Sequence, residues 1–191
     1  GETDHEFVMD GHDELMKHKD LMQEFPDMEH DDPNAIRLAP GEKGEIIWEA
    51  GTKPDTGAVD RLTQPAEARL YRERWTHWAF VKDSDKGEMK IYVNGRLWYA
   101  NNPKEKDGVT LKQPLPTITR AALAGMPGDS STWQGQLAEL RIWNVALAER
   151  ELEANSRLLL KGNEPGLVVY YPLNEAQGDL ARDATGQGRH L

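Results

Sequence analysis

Apolar and polar positions change their period along this chain. In "WTHWAFVKD", Trp75, His77, Ala79 and Val81 fall on one side, and Thr76, Trp78, Phe80 and Lys82 on the other. That is the period of a strand, and apolar residues on both sides predict a central strand of a sandwich. "EIIWEAG" from residue 45 reads as another strand, preceded by an extended piece and the turn Pro40-Gly41-Glu42-Lys43-Gly44. "SDKGE" is a hairpin turn. "MKIYVNGRLWYA" holds two strands around Asn94-Gly95, a pair that tolerates positive φ. "ITRAALAG", "GQLAELRIWN" and "GLVVYYPLNE" read as further strands, and "NNPKEKDGVTLKQPLP" as a polar loop. The period lengthens to that of a helix in "ALAERELEANSRLLLKG", expected over about 148–160. There Leu147, Leu152, Leu158 and Leu159 are available for burial, with Gly162 just past the end.

The N-terminal quarter has a different texture. Residues 5–9 read as a short strand. Asp10 reads as an N-cap, and Leu15, His18, Met22 and Phe25 share a helix face that Pro26 stops. The fold expected is all-β: a jelly-roll-type two-sheet sandwich with a short helix, plus a small N-terminal strand–helix segment. The division expected is 1–45 and 46–191. Trp75, Trp78, Trp98 and Trp143 are the expected large contributors to the core.

Charge sharpens this division. Residues 1–51 hold 15 acidic and 4 basic residues, whereas 52–191 hold 18 and 19, so the net charge of −10 comes from the first quarter. Neither part offers a strong basic patch, so a nucleic-acid partner is not expected. No run of about 18 apolar residues exists, so no membrane-spanning helix is expected. The chain starts at Gly1 without a cationic, apolar leader and reads as a processed product or a fragment. It has no cysteine, which removes disulfides, thiolate metal sites and cysteine nucleophiles.

Chemistry-bearing residues concentrate in the same quarter. His5, His12, His18 and His30 are four of the six histidines, and Met9, Met16, Met22 and Met28 four of the six methionines. Imidazole and thioether together suit copper, Cu(I) above all. His12 with Met16, and His18 with Met22, are spaced to share a helix face. The bland alternative is an amphipathic helix with methionines in a core. Glu2, Asp4 and Glu6 would share a strand face, and paired carboxylates are what glycoside hydrolysis requires. Against that, the motif is short and sits at the chain end. Asp183 in "RDATGQG" is a candidate calcium ligand, with capping of its own turn as the competing reading. Asp83 and Asp85 read the same way. His77 reads as a buried, hydrogen-bonded core histidine.

Two resemblances bear on these residues. "WTHWAFVKDSDKGEMKIYVNGRLWY", "GQLAELRIWNVALAERELEAN" and "GLVVYYPLNEAQGDLARDATGQGRHL", with "IIWEAG" and "VDRL", closely resemble laminin-G-like modules of the concanavalin A-like lectin/glucanase superfamily, from about Ile46 to Leu191. That resemblance implies a two-sheet sandwich, rarely catalytic, usually one module of a larger secreted or surface protein. Its ligand would be a glycan or a protein, in some cases with calcium.

"DHEFVMDGHDELMKHKDLMQEFPDMEHDDPNAIRLAPGEKGEIIWE" resembles the middle of a bacterial periplasmic copper-binding cupredoxin, over residues 1–49. In such proteins a histidine in the "HEFV" position is a copper ligand, which maps onto His5. The later Cys, His and Met ligand loop is missing, so a thiolate copper site is excluded within this chain. The two patterns overlap at "EIIWE", as in a chimera. The expectation is a non-enzymatic binding module, extracellular or periplasmic. Copper binding through His5, His12, His18, Met22 and His30 is the first alternative, and a glycoside hydrolase using Glu2 and Glu6 the second.

Overall fold

A computed structural model describes residues 37–41, 44–52, 59–101, 111–115 and 135–191. The strand 5–9, the helix from Asp10, the strand in "ITRAALAG", Glu2, Glu6, His5, His12, His18, Met22 and His30 lie outside the described residues.

Eight strands are described: β1 (Arg37–Gly41), β2 (Glu45–Thr52), β3 (Val59–Pro65), β4 (Trp78–Asp83), β5 (Glu88–Val93), β6 (Arg96–Ala100), β7 (Leu140–Trp143) and β8 (Leu167–Tyr171). The one described α-helix is α1 (Glu149–Asn155), and Ala68–Leu70 forms a 3-10 turn. The strands form sheets in the orders β1-β2-β3, β4-β5-β6 and β7-β8, with every described pairing antiparallel. β1 lies on the N-terminal side of the division expected at 45/46, yet pairs with β2 from Arg37↔Glu49 to Gly41↔Glu45.

The first two sheets share one core. β2 alternates cleanly: Ile46, Trp48 and Ala50 are buried while Glu45, Ile47 and Glu49 are half-buried. These three join Leu62 of β3 and Trp78, Met89 and Ile91 of the second sheet in a single cluster. The Trp48 and Phe80 rings meet across the sheets at 5.7 Å, and the Trp78 and Trp98 rings meet edge-on at 5.5 Å. Such aromatic pairs add to the area they bury. A polar pin also crosses the interface. Lys82 Nζ of β4 lies 2.6 Å from Asp60 Oδ2 of β3, their side chains 2% and 9% exposed. Lys82 also donates to the Leu111 carbonyl, and the Gln113 N–H donates to Asp60, so the pair is supported by further hydrogen bonds.

The hairpins follow the sequence. Asn94 (φ 51°) and Gly95 (φ 77°) make the tight β5–β6 turn, and Ser84–Gly87 close β4–β5. The Asp83 carboxylate accepts the Lys86 N–H and so caps its own turn. Ile91 and Tyr92 are both buried because the β5–β6 register shifts between them.

Several expectations are corrected. β4 begins at Trp78 rather than Trp75, and among the described residues it stands at the end of its sheet rather than in the middle. Trp75 is exposed, at 37%, and Trp143 stands outside the core cluster. Trp48, Tyr71 and Leu111 fill it instead. The strand in "GQLAELRIWN" is only Leu140–Trp143. The helix ends at Asn155 rather than near residue 160, and Leu158 and Leu159 are exposed at 55% and 62%. Arg141 explains the early end: its guanidinium takes the carbonyls of Asn155 and Leu158, and the Ser156 hydroxyl takes that of Glu153. Carbonyls satisfied from outside need no further helical turn.

Candidate functional site

The segment from Pro65 to Thr76 leaves the first sheet and enters the second. Its inward residues fix it. Tyr71 lies in the core cluster, Leu70 packs against that cluster, and the Thr76 hydroxyl, 1% exposed, donates to the Leu70 carbonyl at 2.7 Å. The Ala66 N–H donates to Gly44 at 2.7 Å, and the N–H groups of Tyr71 and Arg72 both reach the Ala68 carbonyl. Glu73 turns the chain at φ 56°, in the left-handed region.

Arg69, Glu73 and Arg74 of this clamped segment are exposed, while Arg72 is half-buried with its Nε enclosed. Ala68, Arg69, Arg72, Glu73 and Arg74 line an open depression of about 510 Å³. Arg69 holds the Glu67 carboxylate in a two-point fork, Nε to Oε2 at 2.7 Å and Nη2 to Oε1 at 3.2 Å. Arg74 donates through Nη1 to the Arg69 carbonyl at 3.1 Å, which sets its guanidinium over the turn. Trp75, the next residue, is exposed. A planar cationic fork recognises carboxylates, and a bare indole offers a flat apolar face. Sequence reasoning missed these residues, having found no basic patch. The signal was present in "ARLYRERW", but spacing alone does not show that Leu70 and Tyr71 are anchored inward.

The other candidates are placed as follows. Asp183 is buried. Its Oδ1 accepts the N–H groups of Tyr170 and Thr185, and the Thr185 hydroxyl reaches both oxygens. The Arg189 N–H also reaches Oδ2, and these donors hold the Asp183 carboxyl below its usual range against the opposing effect of burial. His77 is half-buried. Its backbone N–H donates to Asn94 Oδ1, while its ring Nδ1 is enclosed without a hydrogen-bond partner, which corrects the expectation of a hydrogen-bonded ring. Burial, and then the charge of Arg141, lower its pKa to about 4. Glu139 Oε2 receives both Arg141 Nη2 at 2.6 Å and the Tyr170 hydroxyl at 2.8 Å. Burial first, then Glu139, push the Tyr170 hydroxyl up to about 12. Among the described residues, no group of three or more His, Asp or Glu side chains is placed to hold a metal ion.

Antiparallel sheets that share one core define a β-sandwich. The chain belongs to the concanavalin A-like lectin/glucanases superfamily, whose laminin-G-type family model matches residues 21–153. In fold it is similar to a candidate carbohydrate-binding protein of Bacteroides ovatus, with a TM-score of 0.58 and 24% identity over 83% of this chain and 44% of that one. An S-layer domain-containing protein of Clostridium thermocellum is a more distant likeness, with a TM-score of 0.37 and 20% identity over 63% of this chain and 55% of that one.

Over 49 residues the chain is also 45% identical to the copper-resistant cuproprotein CopI of Rubrivivax gelatinosus, covering 26% of this chain and 30% of that protein. It is 33% identical over 48 residues to CopI of Vibrio cholerae, covering 25% of this chain and 28% of that protein. The chain thus spans less than a third of the length of the curated relatives it matches.

Proposed function

We propose that this chain is a non-catalytic carbohydrate-binding module acting outside the cytoplasm, either extracellular or periplasmic. Superfamily membership and the likeness to the Bacteroides ovatus protein support the reading. The observation that carries it is the arginine-lined depression followed directly by exposed Trp75 on a segment clamped by Tyr71 and Thr76. Binding sites combine oriented polar groups with aromatic surface on a rigid support. A glycan array probed with the full chain tests it. The expected result is retention of a defined glycan class, reduced at least tenfold by Trp75→Ala, with no release of reducing ends on incubation. Binding to no glycan, or turnover that vanishes in Glu6→Gln, would overturn it.

A second reading, copper binding by the segment 1–45, is favoured by the CopI likeness. His5, His12, His18, Met22 and His30 would supply neutral nitrogen and thioether ligands, and Cu(I) would bind better than Cu(II). Titration calorimetry of the wild type, His5→Ala and a His12/His18 double alanine variant decides it. Equal affinity in all three, or none in the wild type, removes the reading.

A further inference from the structure

We infer that Lys82 and Asp60 are the two halves of an internal cross-link. The Lys82 amine condenses with the Asp60 carboxyl, and the folded chain comes to carry an amide bond between β4 and β3. The inference goes beyond ligand binding and does not depend on it.

The reacting groups are already in contact. Lys82 Nζ lies 2.6 Å from Asp60 Oδ2, and Asp60 Cγ is one bond further on. Groups held at this range react as parts of one molecule, without the entropic cost of an encounter. Both side chains are buried, so water neither hydrates the amine nor competes with it at the carboxyl. The surroundings hold them there. Gly51, at φ +84°, leaves room that a side chain would fill: a Cβ would fall 2.4 Å from the Gln113 carbonyl oxygen and 2.9 Å from Lys82 Cε. The Ser84 hydroxyl donates to that same Gln113 carbonyl at 3.2 Å, which fixes the peptide beside Asp60.

The hydrogen bonds around the pair suit an amide, which presents one N–H donor and one carbonyl acceptor. The Leu111 carbonyl accepts from Lys82 Nζ at 3.3 Å, and the Gln113 N–H donates to Asp60 Oδ2 at 2.7 Å. Both bonds survive condensation, the first on the amide N–H and the second on the amide oxygen. What disappears is a pair of buried charges, each of which carries a desolvation penalty.

The step balances without a co-reactant. The ammonium gives up two protons, its nitrogen attacks Cγ, and the Nζ–Cγ bond forms. Negative charge gathers on Oδ2, at which the Gln113 N–H already points. The Cγ–Oδ1 bond then breaks, and Oδ1 leaves as water with the two protons. Nothing is oxidised or reduced. The chain has no cysteine, so this bond supplies the kind of cross-link that disulfides provide in other proteins.

Intact-mass spectrometry of the full chain, denatured after purification, tests the inference. The wild type should weigh one water less than its sequence requires, and a digest should contain a branched peptide joining Asp60 to Lys82. Lys82→Met should show the full sequence mass. So should Lys82→Arg, which keeps a cation beside Asp60 and covers the case in which the methionine variant does not fold. A full sequence mass in the wild type after prolonged incubation at neutral pH would overturn the inference and leave an ordinary buried ion pair. A loss of water that persists in both lysine variants would overturn it too, because it would mark cyclisation at another aspartate.

Discussion

His77 sits between Trp75 and Trp78 with its ring Nδ1 enclosed and unpaired, near the positive charge of Arg141. The ring is neutral in the folded state, its pKa lowered from 6.5 to about 4, chiefly by burial. In the unfolded chain it takes a proton at about pH 6.5. Between those values the unfolded state binds more protons, so stability is full above about pH 6.5 and falls as pH drops toward 4. The loss should reach roughly 2–3 kcal/mol, and His77→Phe should flatten that part of the profile. Urea unfolding at pH 7, 5.5 and 4.5 checks it; parallel profiles for the two proteins would contradict it. Alternation in "WTHWAFVKD" correctly set Thr76, Trp78, Phe80 and Lys82 on one side. The missing ring partner was not legible, because it depends on what packs over the other face.

At the scale of elements, local signals carried far. The Asn94-Gly95 hairpin, the Ser84–Gly87 turn and strands β2, β5 and β8 all stand where turn chemistry and alternation place them. Helix α1 starts at Glu149, close to its expected start, with Glu151 accepting the Ala148 N–H at 2.8 Å. Its end was misread because Arg141, distant in sequence, takes the carbonyls that would have continued it.

The Asn94-Gly95 turn also packs on this helix. A Cβ at Gly95 would lie 2.6 Å from Glu153 Cα, and φ there is +77°. Gly95→Ala should therefore cost about 2–3 kcal/mol in urea unfolding. Gly178→Ala, with φ +97° and open space around it, should carry the backbone strain without the clash and cost less. Equal losses would show that the turn does not press on α1.

The Lys82–Asp60 pin makes a second prediction between elements. Lys82→Met leaves the buried Asp60 carboxylate without its cation and should cost about 3–5 kcal/mol. Adding Asp60→Asn should recover part of that loss, a coupling read by a double-mutant cycle. Strict additivity of the two substitutions would contradict the pin.

Across the whole molecule, the sandwich was legible from strand texture and the superfamily from the resemblance of residues 46–191, and the match to residues 21–153 agrees with that resemblance. The sheet built from β1, β2 and β3 reaches back to Arg37, because backbone pairing follows register rather than composition. The candidate site was the least legible part. Arg69 and Arg74 lie five residues apart among acidic neighbours, and only the anchoring of Leu70, Tyr71 and Thr76 turns them outward together, with Arg72 half-buried between them. The central claim is that this loop is the ligand-binding face. An amide-resolved NMR titration of the full chain with an oligosaccharide of the glycan class retained on the array tests it most directly. Shifts should concentrate at residues 67–76 and at the Trp75 indole N–H. Shifts confined to the β8 rim and residues 173–191, or none at saturating ligand, would contradict it.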